Sequence, residues 1–300
     1  MRARPDREAF ERQADGYSMA PVWAELLADV STPVNVFPAL AGDGPGVVLE
    51  SVERSERWGR YSFVAGDPAA ILVLDADGLR VEASAGRLPI EAPSSGNARA
   101  DLVALARSLR APRVEGLPSL TGGLMGFLSY EAAGLLDGQP SPAGDAHAPP
   151  AGLLLVDRAV VFDHWSQRLL LIAHVPPGAY DDGVSALEEL AERVSGPSGV
   201  EPGTLPGPIA DGDPAGEPNM PDERYREIVG AMKEHIGAGD IYQGVPSRRV
   251  SFPCPHGGFP VYRRLRVTNP APYMFFVRML GLELAGSSPE PLVRVEGRRV

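Results

Sequence analysis

Six residues late in the chain, Asn269-Pro-Ala-Pro-Tyr-Met274, combine chemistry with stiffness. Pro270 and Pro272 each fix φ and remove a backbone N–H, so the segment cannot continue a helix and leaves carbonyls free to face a ligand. Asn269, Tyr273 and Met274 add an amide, an aromatic face and a soft apolar tip. That mixture suits a small amphipathic molecule with an apolar ring and a polar head. A plain Pro-rich connection between two strands is the competing account. The run Gly286-Ser-Ser-Pro-Glu290 follows closely. Thr121-Gly-Gly-Leu-Met-Gly-Phe-Leu-Ser-Tyr130 carries glycines inside an apolar run, but no Lys-Ser/Thr follows and GxGxxG spacing is not met. Close approach of another backbone therefore outranks a phosphate cradle. The single cysteine, Cys254, reads as an inert thiol in a Pro-flanked loop and leaves no internal disulfide or Cys-rich metal cluster.

These groups need elements to hold them, and the chain supplies many short ones. Residues 10–28 show loosely helical apolar spacing, and Pro33 and Pro38 bracket an expected short strand. Strands are expected at 47–52, 57–64, 71–74 and 79–83, the last two joined by the turn Asp75-Ala-Asp-Gly78. A helix over 101–110 turns Leu102, Leu105, Ala106 and Leu109 to one face. The glycine-bearing run is a strand, 138–150 is loop, strands recur at 153–156, 160–162 and 169–174, and 184–194 is an amphipathic helix. Between Ser195 and Pro221 apolar residues nearly vanish, as in a linker. Beyond it, Asp222 caps a helix whose inward face is Tyr225, Ile228, Val229, Met232 and Ile236, ended by Gly237 and Gly239. A strand is expected from Asp240, a short helix over 262–267, strands at 273–277 and 282–285, and a hairpin turn at Glu296-Gly297. The elements after the linker are too few to close a core unless they join the earlier sheets. The expected fold class is α+β, antiparallel β-sheets packed with helices.

Composition bounds the function classes. Three hundred residues permit two domains or one large one, and 44% apolar against 22% charged residues is the balance of a soluble globular protein. The net charge of −11 is spread without a Lys/Arg block, which recommends neither a nucleic acid nor an anionic membrane as partner. The N-terminus has no apolar h-region, and no apolar run approaches spanning length, so a cytoplasmic protein is expected.

Thr32-Pro-Val34, Leu49-Glu-Ser51, Arg57-Trp-Gly-Arg-Tyr-Ser-Phe63, Gly122-Gly-Leu-Met-Gly126 with Tyr130, Gly239-Asp-Ile-Tyr-Gln243, Asn269–Met274 and Gly286–Glu290 occur in this order. Together they resemble the large subunit (component I) of anthranilate synthase, in the chorismate-utilising enzyme family, from about residue 10 onward. The resemblance implies an N-terminal region over 10–200, a linker over 201–221 and the opening of the chorismate-binding catalytic domain over 222–300. The family's later motifs, which meet substrate and hold Mg²⁺, are not in these residues, so the chain is expected to be an inactive N-terminal fragment with no metal site of its own.

By the same resemblance, the intact enzyme converts chorismate and ammonia to anthranilate and pyruvate, the first step of tryptophan biosynthesis. Mg²⁺ is its cofactor and a glutamine amidotransferase, component II, its ammonia-supplying partner. Tryptophan inhibits such enzymes, and the residues implied to bind it are Glu50, Ser51, Asn269, Pro272, Tyr273 and Met274. Ser51 and backbone groups suit the amino acid's charged head, and Pro272, Tyr273 and Met274 suit an indole. Catalytic residues are not identified. Gln243 is a discriminator, because relatives that use water as nucleophile carry a lysine in its neighbourhood. Aminodeoxychorismate synthase component I, of p-aminobenzoate formation, is the alternative, as is a non-catalytic tryptophan-binding remnant. Gly244-Val-Pro246 departs from both synthase patterns, and Arg248 replaces a glutamine usual in the family.

Overall fold

The computed structural model describes residues 1–51, 59–75, 77–137, 148–197, 199–203, 216–295, 297 and 299. Their contacts divide the chain into two compact units, Met1–Thr204 with Gly258–Val300, and Leu205–Gly257. The first unit opens with α1 (Arg7–Ala14), β1 (Ala20–Leu27), α2 (Pro33–Ala41), β2 (Gly46–Glu50), β3 (Tyr61–Gly66), β4 (Ala70–Asp75) and β5 (Gly78–Ser84). It continues with α3 (Ala98–Ser108), β6 (Gly123–Leu128), α4 (Ala132–Asp137), β7 (Ala151–Val156), β8 (Arg158–Asp163), β9 (Arg168–Val175) and α5 (Tyr180–Ser195). The second unit holds β10 (Glu217–Pro218), α6 (Asp222–Ala238) and β11 (Val250–Ser251). Then α7 (Gly258–Thr268), β12 (Tyr273–Met279) and β13 (Leu282–Ser288) return to the first unit.

Two antiparallel sheets build that first unit: seven strands in the order β1-β9-β8-β3-β2-β12-β13, and four in the order β5-β4-β7-β6. The α+β expectation holds, and β12 and β13 do extend a sheet begun more than 200 residues earlier, at β1. Period-two alternation sorts the side chains into layers. Val48, Val64, Val160, Leu171 and Phe276 face a core shared with α1, α2, α5 and α7. Val47, Ala65, Val161, Ile172 and Val277 face the smaller sheet through Met125, Leu154 and Val156. The outer face of that smaller sheet buries Leu72, Leu74 and Leu155 with Leu105 of α3. A ring cluster fastens the helical layer: Phe37 lies 5.0 Å from Phe259 and 5.2 Å from Phe276, which is 5.7 Å from Tyr262.

Glycines in β6 mark backbone contact, as expected. A Cβ on Gly126 would meet the Gly152 carbonyl oxygen at 2.0 Å. The Asp75–Gly78 hairpin also forms, with Gly78 at φ +110°.

Four expectations need correction. The helix of residues 10–28 stops at Ala14, before Gly16 at φ +74°, and Ala20–Leu27 is a strand paired along its whole length with β9. Its first five residues are consecutively buried, the pattern of a strand covered on both faces, which helical spacing mimics. Residues 33–38 lie in a helix, because Thr32 and Asn35 cap it reciprocally and Pro33 occupies its first turn. Asp222 is the first helical residue of α6 and not its cap; Pro221 stands there without a side-chain bond, and none of the helix's residues is buried. The helix does end at Gly239, in the left-handed region. No strand begins at Asp240, and pairing waits until Val250 and Ser251 meet Glu217 and Pro218. Alternation alone supplies no partner ladder. Arg57, Trp58, most of the 138–150 loop, residues 204–215 of the linker and Glu296 lie outside the described residues.

Candidate functional site

The two motifs that the sequence separates by more than 200 residues lie side by side. β2 pairs with β12 so that Met274 is opposite Glu50 and Phe275 opposite Leu49. At the end of this pairing is a cavity of about 480 Å³, walled by Leu49, Tyr61, Phe63, Pro272, Tyr273 and Phe275, with Ser51 on its lining. The size and the mostly apolar wall suit a small ring-bearing ligand. Ser51 Oγ is buried and has no hydrogen-bond partner among the described residues. A buried hydroxyl without a partner costs free energy unless something arrives to satisfy it.

Strand alternation divides the motif residues between two faces. Leu49, Tyr61, Phe63 and Phe275 pack on the core between the sheets, whereas Met274 packs into the helix-covered core. The Glu50 side chain is directed with Met274, and it is only 4% exposed. Arg266 Nη2 donates to Glu50 Oε1 at 2.9 Å, Arg266 Nε lies 2.7 Å from Oε2, and the Tyr262 hydroxyl donates to the same oxygen. Burial, and then the Glu50 charge, push the Tyr262 phenol far above its ordinary pKa, so it remains a donor. Glu50 and Met274 therefore border the cavity chiefly through their backbone.

Asn269 is exposed and does not line the cavity. Its N–H donates to Leu265 O at 2.9 Å, closing α7, and its carbonyl accepts from Ser287 Oγ at 2.6 Å. Gln243 lies exposed in the second unit, in a stretch without helix or strand. Pro246 shares that stretch, where no ladder needs its missing N–H, and Arg248 Nη2 sits 2.6 Å from Asp222 Oδ1. Cys254 is exposed and free. Among the described residues no three His, Cys, Asp or Glu side chains gather as a metal site. A hard dication takes several oxygen donors, so these residues do not fit Mg²⁺. Among the described residues, no helix is long and apolar enough to cross a membrane.

Sequence reasoning missed Tyr61, Phe63 and Phe275 as walls, although the alternation in Tyr61-Ser62-Phe63 carries that signal. It also missed Tyr262 and Arg266. A carboxylate ending an apolar strand calls for a cationic partner when buried, but nothing in the chain order says which arginine supplies it.

Comparison with known proteins adds a lineage to this geometry. The family model described as chorismate binding enzyme matches residues 74–300. The chain is 35% identical to anthranilate synthase component 1 of Pseudomonas aeruginosa over 306 residues, which cover 97% of this chain and 60% of that protein. It is 36% identical to the Streptomyces coelicolor protein of the same name, covering 99% and 56%. Among solved structures, anthranilate synthase component I from Streptococcus pneumoniae superposes with a TM-score of 0.60 at 22% identity, over 91% of this chain and 59% of that one. That likeness is one of fold. The chain thus spans about 60% of the length of these relatives.

Proposed function

The chain belongs to the chorismate-binding enzyme family, and from that premise we propose that it is part of an anthranilate synthase large subunit whose cavity at β2 and β12 takes the end product, tryptophan. One observation carries the effector site: two segments far apart in sequence meet around a cavity in which a buried serine hydroxyl lacks a partner among the described residues. An indole fits among Tyr61, Phe63, Pro272 and Phe275, and Ser51 Oγ meets the polar head. A ligand gripping both β2 and β12 favours whichever arrangement holds them together, and feedback inhibition follows if that arrangement is the inactive one.

For the whole protein, the proposed reaction is chorismate plus ammonia to anthranilate and pyruvate, with ammonia from a glutamine amidotransferase partner and Mg²⁺ bound by groups other than the described residues. Product identity separates it from aminodeoxychorismate formation.

Calorimetric titration of L-tryptophan into the chain tests the site. Saturable binding is expected, weakened tenfold or more in Ser51→Leu, about 1.4 kcal/mol or above, with the melting temperature of the free protein little changed. Absence of saturable binding by the unsubstituted chain, or equal affinity in the variant, would overturn the assignment.

A further inference from the structure

Resting on that effector site, we propose that Tyr262 and Arg266 are positioning residues of the cavity, acting through Glu50, and that the Glu50 carboxylate touches no bound ligand. Both carboxylate oxygens are engaged: Oε1 accepts from Arg266 Nη2, Oε2 accepts from the Tyr262 hydroxyl with Arg266 Nε at ion-pair distance, and the side chain is nearly closed off from solvent. Because this side chain is turned with Met274 to the helix-covered face, it could reach a ligand's ammonium in the cavity only by leaving those charge-assisted bonds inside a poorly solvated site. The same three residues instead set the spacing of the cavity's two halves. Glu50 is the last residue of β2 and immediately precedes Ser51. Tyr262 and Arg266 stand one turn apart on α7, and Arg266 lies three residues before Asn269, where α7 gives way to the twin-proline wall. Tyr262 is fully buried, 5.7 Å from Phe276 of β12, so the pairing is anchored in the core and not at the surface. Locking β2 to α7 holds Ser51 in register with Pro272 and Tyr273 before any ligand arrives, which is preorganisation.

A cycle across protein and ligand discriminates positioning from contact. L-Tryptophan and indole-3-propionate, which keeps the ring and carboxylate but lacks the ammonium, are titrated into the unsubstituted chain, Glu50→Gln, Tyr262→Phe and Arg266→Met. Positioning predicts that Glu50→Gln weakens both ligands by the same factor, tenfold or more. Arg266→Met should do likewise, and Arg266→Lys should recover part of the loss. Weakening confined to L-tryptophan would make Glu50 an ammonium ligand and overturn the proposal. Hydrogen exchange without ligand gives a second readout, at the amides of Asn269, Ala271, Tyr273 and Met274. Faster exchange in Arg266→Met and in the milder Tyr262→Phe is expected, and unchanged exchange in both would overturn the proposal. If the unsubstituted chain bound neither ligand, the tryptophan assignment would fall while the exchange data still decided the role of Tyr262 and Arg266.

Discussion

His174 is the residue whose environment most directly sets a pH dependence. Its ring is almost wholly enclosed, with Nε2 3.0 Å from Thr121 Oγ1 and Nδ1 buried without a partner among the described residues. Burial pushes its pKa down to about 4. The unfolded chain, with an ordinary imidazole, therefore takes up a proton before the folded one does. Stability from this residue is intact above the ordinary histidine pKa and is lost as pH falls from that value toward the folded one. Between pH 7 and pH 5 the loss is about 2 kcal/mol. Urea midpoints at the two pH values should show it, and His174→Leu should remove that share of the difference. If the variant kept the full pH dependence, other groups would be responsible.

At the scale of elements, the helical layer depends on rings. Phe276 is fully buried at the junction of Phe37, Phe259 and Tyr262, so Phe276→Ala should lower stability by about 3–5 kcal/mol in urea unfolding. Gly126→Ala tests the opposite fault. Its added methyl would meet backbone and not a yielding side chain, so a loss of about 3 kcal/mol is expected, read by the same method. The strands β4, β5, β7, β8 and β9 and the helices α3, α5 and α7 are legible from spacing and turn residues. Legibility fails where two patterns imitate each other. A doubly covered strand such as β1 reads as helix because apolar residues run without alternation, and α2 reads as strand because its two prolines hide a Thr32-Asn35 cap.

For the molecule as a whole, the consequential feature is that residues after 257 complete a sheet begun before residue 30. The cavity exists only because of that return. The sequence by itself marked Ser51, Pro272 and Tyr273 as candidates for recognition, because prolines, a hydroxyl and aromatic faces are local properties written in residue type and spacing. It also determined the layered α+β architecture in outline, through period-two and helical spacing. Only the tertiary structure decided which face of each strand those groups occupy and which arginine neutralises Glu50. Both depend on pairing register and on contacts between distant segments, and a single residue of register would have turned Glu50 into the cavity and Leu49 out of it.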